Sequence, residues 1–303
     1  MAGYAAMARL LDARRVRATL VSLRTSPTQL PNHETDPALV DRLDRPFDTV
    51  DDVYERLRDL ETRLRAAGDR RAVFLTIYTR MTGAVRAAIA DGRFVDPPWM
   101  RRYTVTFADY YRRAFLAFER GAHDAVPVPW RVAFGTAVAG DALVAQDAFL
   151  GINAHINYDL ALTLRDLGID PHRARKRADH RRIDAVLAGL VDAQQEALVD
   201  LYAPGLSTVD ATLGRFDEAL SLVSMTEGRS WAWRTAVALT DVGWTPARAA
   251  VRWLHRTTAT GGAHVVRSPP IDPTVMAALR RAERERPSLD DALDILADRL
   301  DAR

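Results

Sequence analysis

The segment GINAHINYDL, residues 151–160, carries four polar side chains at every second position: Asn153, His155, Asn157 and Asp159. An imidazole and a carboxylate four residues apart are able to act as a general acid and base, or to bind a divalent metal ion. On a helix that turns about 100° per residue, His155 and Asp159 share one face, and Asn153 and Asn157 lie nearly opposite. We therefore take these four residues as the candidate catalytic group.

The helix that carries them is apolar on all sides, which is typical of an element surrounded by protein. Its polar side chains are then buried, and a buried polar group needs a partner. One interpretation is a structural network in which Asp159 binds an arginine such as Arg234 and His155 binds a backbone carbonyl. The other is a pocket for a small molecule, to which Tyr78 and Thr82 on another apolar helix would contribute hydroxyl groups.

His180 and Asp184 repeat the same spacing on the next helix. If the two helices form a hairpin around Gly168 and Pro171, the two pairs come level, and two imidazoles and two carboxylates face one another. Such a set would suit a divalent ion, Zn, Fe or Mn. The predicted metal ligands are His155, Asp159, His180 and Asp184.

Apolar residues recur at helical spacing through most of the chain, and convincing alternating strands are absent. Thr49 followed by Asp52 has the form of a capping box, which predicts a helix start. That helix is expected to end near Gly68. Further helices are expected over 69–92, 98–120, 130–167 and 172–203, and shorter ones around 212–224, 227–241, 246–258, 273–284 and 288–301.

These elements predict one all-α domain over residues 49–303, with helices packed around a central buried helix pair. Residues 1–48 are expected to form an N-terminal helix and an irregular arm, with a surface loop over 25–48. The only plausible short strand is GGAHVV. The pair Gly261 and Gly262, taken by itself, is interpreted as no more than a turn.

Composition narrows the classes of function. The chain has no cysteine, which excludes disulfides, thiolate metal sites and a cysteine nucleophile. The net charge is only +2, so we predict no nucleic-acid partner. No signal peptide or transmembrane segment is recognisable, and a cytoplasmic location is expected. Walker loops, Rossmann fingerprints, G-x-S-x-G elbows and H-E-x-x-H motifs are also absent from the sequence.

The run GINAHINYDLAL, preceded by VPWRVAF and followed by SMTEGRSWAWRTAVAL and LHRTTATGGAHVV, resembles the mostly bacterial family catalogued as domain of unknown function 5995. The similarity extends over about residues 69–266, including GDRRAVFLTIYTRMTGAV. It implies an all-helical protein and emphasises the four polar residues of the motif, but it supplies no reaction. In the family pattern an Asp, an aromatic residue and an Asn fall on Asp179, His180 and Asp184, so His180 and Asp184 depart from it.

The sequence thus leads us to expect an enzyme, either metal-dependent or using His155 and Asp159 as an acid–base pair, that acts on a small, largely apolar molecule between helices. Hydrolase or lyase chemistry is the simplest outcome. Asn153 and Asn157 would orient the substrate or the metal ligands. The alternatives are a binding protein without turnover and a helical protein whose buried polar network is only structural.

Overall fold

The computed structural model describes residues 2–26, 28, 30–31, 33–206, 224–285 and 288–302. Within these ranges every regular element is helical, which confirms the predicted all-α domain. The helix predicted around residues 212–224 lies outside the described residues. The helices are α1 Ala2–Ala8, α2 Ala13–Arg24, α3 Pro37–Asp44, α4 Val50–Ala66, α5 Ala72–Ala90, α6 Pro97–Glu119, α7 Val128–Ala139, α8 Val144–Ala154, α9 Leu160–Leu167, α10 Arg173–Leu206, α11 Met225–Asp241, α12 Thr245–Arg267, α13 Pro273–Arg284 and α14 Leu289–Asp301.

Short polar residues begin several of these helices. The Thr49 hydroxyl accepts the backbone N–H of Asp52 at 3.1 Å, as the capping pattern predicted. Asp96 accepts the N–H of Trp99 at 3.1 Å in the same way at the start of α6. Each bond satisfies one of the backbone donors that a helix leaves open at its first turn. The starts of α4 and α6 are therefore fixed by local sequence.

The centre of the molecule is formed by α8, a π-helical turn over His155–Asp159, and α9, which follow one another without a break. Every residue of α8 is buried. In the π turn, the N–H of Leu160 bonds to the carbonyl of His155, five residues earlier. Helices α5, α6, α7, α11 and α12 surround this central element. Turns of this rare kind occur frequently at functional sites.

The chain reverses after α9, but α10 does not form the predicted hairpin with the central element. It packs mainly against α5, α13 and α14, while α11 lies against α9. Lys176 closes the connection by donating to the carbonyls of Gly168 and Asp170, each at 3.0 Å. Arg173 at the start of α10 pairs with Asp241 at the end of α11, which holds α10 beside that helix.

The N-terminal residues are more regular than expected. Helix α1 packs against α11 and α2 against α12. Part of the predicted loop forms α3, which Asp36 caps and Pro37 begins. The whole of GGAHVV lies inside α12, so both the short strand and the turn at Gly261 and Gly262 were wrong. A Cβ at Gly261 would lie 1.7 Å from the backbone oxygen of Ala18, so the glycine is required where α2 crosses α12.

Among the described helices, none is both long enough and apolar enough to cross a lipid bilayer.

Candidate functional site

His155 and Asp159 form a buried pair on the π turn. The two side chains are each only 1% exposed, and 3.0 Å separates His155 Nδ1 from Asp159 Oδ2. The indole Nε1–H of Trp130, near the start of α7, donates to the same carboxylate oxygen at 2.9 Å. Asp159 therefore holds the imidazole by one nitrogen, and Trp130 holds the carboxylate.

Aromatic rings enclose the imidazole of His155. The ring of Phe107 on α6 stacks on it, with centroids 3.7 Å apart and 9° between the planes. Tyr78 and Phe74, both on α5, approach its edges, with centroids at 4.5 and 5.8 Å. These contacts fix the plane of the imidazole while adding no charge near it. Its orientation is thus set by packing as well as by Asp159.

Two polar atoms of the pair have no hydrogen-bond partner among the described residues. They are His155 Nε2 and Asp159 Oδ1, and both are buried. A buried nitrogen or oxygen without a partner is destabilising, and most such atoms in folded proteins are satisfied. Either atom would gain a hydrogen bond from a ligand or a water molecule that reached it.

The imidazole lines a pocket formed by side chains of α5, α6, α10, α11 and the central element. Its wall is mostly apolar or aromatic, and Tyr78 and Thr82 contribute to it as the sequence suggested. The side chains that form this wall include Phe74, Phe107, Ile152, Ile183, Leu187 and Met225. Such a concave, apolar surface with few polar groups is typical of small-molecule sites.

Burial determines the protonation of these groups. It lowers the pKa of His155 below its ordinary value of 6.5, although the neighbouring Asp159 opposes the shift. Burial also raises the pKa of Asp159, which the N–H groups of His155 and Trp130 oppose. The pKa of Tyr78 is raised strongly by burial, so its phenol stays protonated. A neutral imidazole that donates Nδ1–H to Asp159 has an unprotonated Nε2.

Asn153 and Asn157 lie on the other side of the central element and do not line this pocket. Asn153 donates to the carbonyl of Ala259 at 2.9 Å and accepts from Asn157 at 3.1 Å. A Cβ at Gly228 or at Gly262 would lie 2.6 Å from one of the two amide oxygens. The two amides therefore join the central element to α11 and α12, and the expectation that they orient a substrate beside His155 is not supported.

The structure does not bring the four predicted metal ligands together. His180 Nδ1 lies 3.0 Å from the hydroxyl of Tyr103, and its Nε2 lies 3.0 Å from the carbonyl of Arg229. Asp184 accepts from the guanidinium of Arg229 at 2.5 Å. Both residues are thus engaged elsewhere. Among the described residues, no group of three or more His, Asp or Glu is placed to hold a metal ion.

Another histidine, His255, supports the π turn. Its Nε2 donates to the carbonyl of Tyr158 at 2.8 Å, and its ring stacks between Tyr158 and Trp231. Burial lowers its pKa from 6.5 to about 4, which keeps the ring neutral. No local pattern in the sequence indicates this role. Only the packing of α12 against the central element reveals its role.

Other partners were also hidden from the sequence. Arg234, expected as a partner of Asp159, is exposed on α11, and Trp130 takes that place. Asp179, which the family pattern singled out, accepts the N–H groups of Val95 and Asp96 at 2.8 and 2.6 Å, at the start of α6. For Trp130 the only signal in the sequence was weak: it directly follows a proline, and a tryptophan at such a position often anchors the start of a helix.

The chain has no match among curated proteins, nor among solved structures. The model of one family, described as "Family of unknown function (DUF5995)", matches residues 50–269. The match begins at α4 and ends just after α12, and it contains the central element with His155 and Asp159. It therefore extends further towards the N-terminus than the similarity seen in the sequence motifs. Because the match covers more than half of its length, the chain belongs to this family, DUF5995.

Proposed function

We propose that the protein is an enzyme that transfers a proton on a small, largely apolar molecule bound in the pocket beside His155. In this proposal His155 Nε2 is the general base, and Asp159 orients the imidazole. The observation that carries the proposal is the unpartnered, buried Nε2 of a ring that lines an apolar pocket. Hydrolase or lyase chemistry fits such a base. A cytoplasmic location is part of the proposal.

The pair supplies the two properties that a general base needs. The lowered pKa of His155 keeps its imidazole unprotonated near neutral pH, so Nε2 is able to accept a proton. Asp159 Oδ2 holds the opposite nitrogen at 3.0 Å, which fixes the tautomer and stabilises the imidazolium that forms after transfer. The proton comes from a bound water that attacks the substrate, or from the carbon adjacent to the one that bears a leaving group, which then departs as a double bond forms.

The pocket wall supports an uncharged substrate. Its one charged side chain among the described residues is Arg229, whose guanidinium is paired with Asp184. A carboxylate in the pocket would have to compete with that ion pair. The apolar wall favours a molecule that places one hydroxyl, carbonyl or ester group near His155 and buries the rest. The proposed chemistry does not require a metal ion.

Binding without turnover is the second candidate. It is favoured by the aromatic packing of Phe107, Tyr78 and Phe74 around His155. Besides the imidazole, the uncharged polar groups of the pocket wall are the hydroxyls of Tyr78, Thr82, Tyr103 and Thr104. In that case Nε2 would accept a hydrogen bond from the ligand and take no proton.

A paired experiment separates the two candidates. Hydrolysis of p-nitrophenyl butyrate and binding of p-cresol, by calorimetry, are measured in the wild type and in His155→Gln. For the enzyme, kcat/KM should fall about 10²- to 10⁴-fold in His155→Gln. For the binder, no enzymatic hydrolysis is seen, and only p-cresol binding weakens.

His264→Gln is the matched control, because His264 is a buried histidine outside the pocket. It should retain both the turnover and the binding of the wild type. If neither probe interacts with the wild type, or if both variants behave alike, the proposed site is wrong.

A further inference from the structure

Strongly exposed apolar side chains concentrate on one part of the molecule. Of the eight such large side chains among the described residues, only Val95 lies elsewhere. The other seven lie on α1, on α2, in the segment between them, directly before α12 and in the first half of α12. These seven side chains, together with the arginines of the same segments, are called the N-terminal surface. Its apolar members are Tyr4, Leu11, Val16, Leu20, Leu23, Trp244 and Trp253.

The two longer helices of this surface touch each other. The hydroxyls of Thr19 on α2 and Thr258 on α12 are 3.0 Å apart, and the backbone of Ala18 lies directly against Gly261. At about 100° per residue, the three apolar side chains of α2 fall within an arc of roughly 60°, on the side of the helix away from Ala18. They form an apolar stripe that α12 does not cover: Val16, Leu20 and Leu23.

The charge of this surface has one predominant sign. Residues 2–25 and 244–258 contain eight arginines and a single acidic residue, Asp12. The whole chain, in contrast, has nearly equal numbers of acidic and basic residues, 40 and 42. Arg252 and Arg256 are both exposed on α12. The first directly precedes Trp253, and the second follows it by about one helical turn. The apolar stripe thus lies among positive charges.

We propose that the N-terminal surface binds the headgroup region of an anionic lipid bilayer. Amphipathic helices of this composition lie in the membrane interface, where the apolar side chains enter the acyl boundary and arginines contact lipid phosphates. Trp244 and Trp253 fit this location, because tryptophan favours the boundary between lipid and water. The binding is peripheral, which agrees with the absence of a membrane-spanning helix among those described.

The charge argues for lipid over a second copy of the chain. Two copies that met through this surface would bring together sixteen arginines and two aspartates, twice the content of the two segments, and like charges across an interface are unfavourable. The aliphatic side chains argue against nucleic acid, whose phosphates and bases would leave Leu11, Leu20 and Leu23 exposed. An anionic bilayer satisfies both the positive charge and the apolar stripe.

The test is co-sedimentation of the full chain with vesicles of phosphatidylcholine, with and without phosphatidylglycerol. We expect binding only to the anionic vesicles, and weaker binding at high salt. Leu20→Ser with Leu23→Ser should weaken binding by about tenfold or more. Arg252→Gln and Arg256→Gln should each weaken it by about fivefold.

Matched controls come from exposed residues elsewhere. Val95→Ser and Arg101→Gln change the same kinds of side chain outside the surface and should leave binding unchanged. The proposal is overturned if the wild type does not sediment with anionic vesicles, or if the control variants weaken binding equally. Two further outcomes, each without binding to vesicles, also overturn it. In the first, light scattering detects a dimer that the Leu20 and Leu23 substitutions abolish. In the second, an anisotropy assay detects binding of single-stranded RNA that the same substitutions abolish.

Discussion

The imidazole of His155 lies almost parallel to the phenyl ring of Phe107, with 3.7 Å between their centroids. Phe107 is half-buried and lines the pocket, so this contact joins the proposed base to the wall that would hold a ligand. The Nδ1 edge of the imidazole is held by the carboxylate of Asp159. A flat support on one face and a hydrogen bond at one edge leave the ring little freedom to rotate.

Phe107→Leu should therefore lower activity more than stability. The substitution keeps an apolar side chain but removes the flat surface on which His155 rests, so Nε2 is held less well. We expect kcat/KM for p-nitrophenyl butyrate to fall about tenfold, with a loss of stability of about 1 kcal/mol. Steady-state kinetics and urea denaturation measure the two effects. Unchanged kinetics would mean that the stacking does not position the base.

Asp159→Asn should separate function from stability. The amide is able to keep the bond to His155, but it no longer stabilises an imidazolium, so we expect a decrease of about 10³- to 10⁴-fold in kcat/KM. Because a buried carboxylate is costly, the melting temperature should be unchanged or higher. A strongly destabilised variant would instead indicate that the pair serves the fold. Asp166→Asn, an exposed carboxylate on α9, is the control.

Activity should depend on pH through His155. Burial lowers its pKa below 6.5, and only the unprotonated imidazole accepts a proton. We therefore expect kcat/KM to be constant above about pH 6.5 and to fall on the acid side, below that value. The pH profile of p-nitrophenyl butyrate hydrolysis, corrected for the uncatalysed reaction, measures this. An activity that increases as the pH is lowered would require a protonated His155 and would contradict the proposed role.

Stability should depend on pH through His255, which supports the π turn. Its folded pKa of about 4 lies below its ordinary value of 6.5. Its stabilising contribution is therefore complete above pH 6.5 and is lost as the pH falls towards 4. The shift corresponds to about 3 kcal/mol. His255→Gln keeps a donor for the Tyr158 carbonyl but does not titrate.

The measurement is the free energy of unfolding of both proteins in urea, at about pH 7 and about pH 4. The advantage of the wild type over His255→Gln should decrease by about 3 kcal/mol between the two conditions. Contributions from other buried groups, such as Asp147, are common to both proteins and cancel in the comparison. A constant difference would show that His255 is not neutral and buried as described.

Sequence reasoning succeeded where the determining interactions are local. Thr49 caps α4 through a bond within its own first turn, and the pattern T-x-x-D is visible without a structure. The all-round apolar character of residues 144–155 predicted burial, and all of α8 is buried. The opposite placement of His155 and Asn153 followed from helical geometry alone. Each of these features depends on residues only a few positions apart.

Reasoning from sequence failed where the partner is distant along the chain. Gly261 is interpreted as a turn residue by its type, but it lies inside α12, where the lack of a side chain lets the backbone of Ala18 approach. The spacing of His180 and Asp184 resembles that of His155 and Asp159, yet α10 packs on α5 and the C-terminal helices. Arg229, on α11, satisfies His180 and Asp184 from a position that no local pattern indicates.

The most direct test of the proposed site is long-range nitrogen NMR of the imidazole of His155, with resonances assigned through His155→Gln. We expect a neutral ring with a proton on Nδ1 and none on Nε2. Addition of p-cresol should move the Nε2 resonance through a new hydrogen bond, while the resonances of His180 and His255 stay in place. A proton on Nε2, or a resonance that p-cresol does not move, would contradict the proposal that this nitrogen accepts a hydrogen bond from a bound ligand.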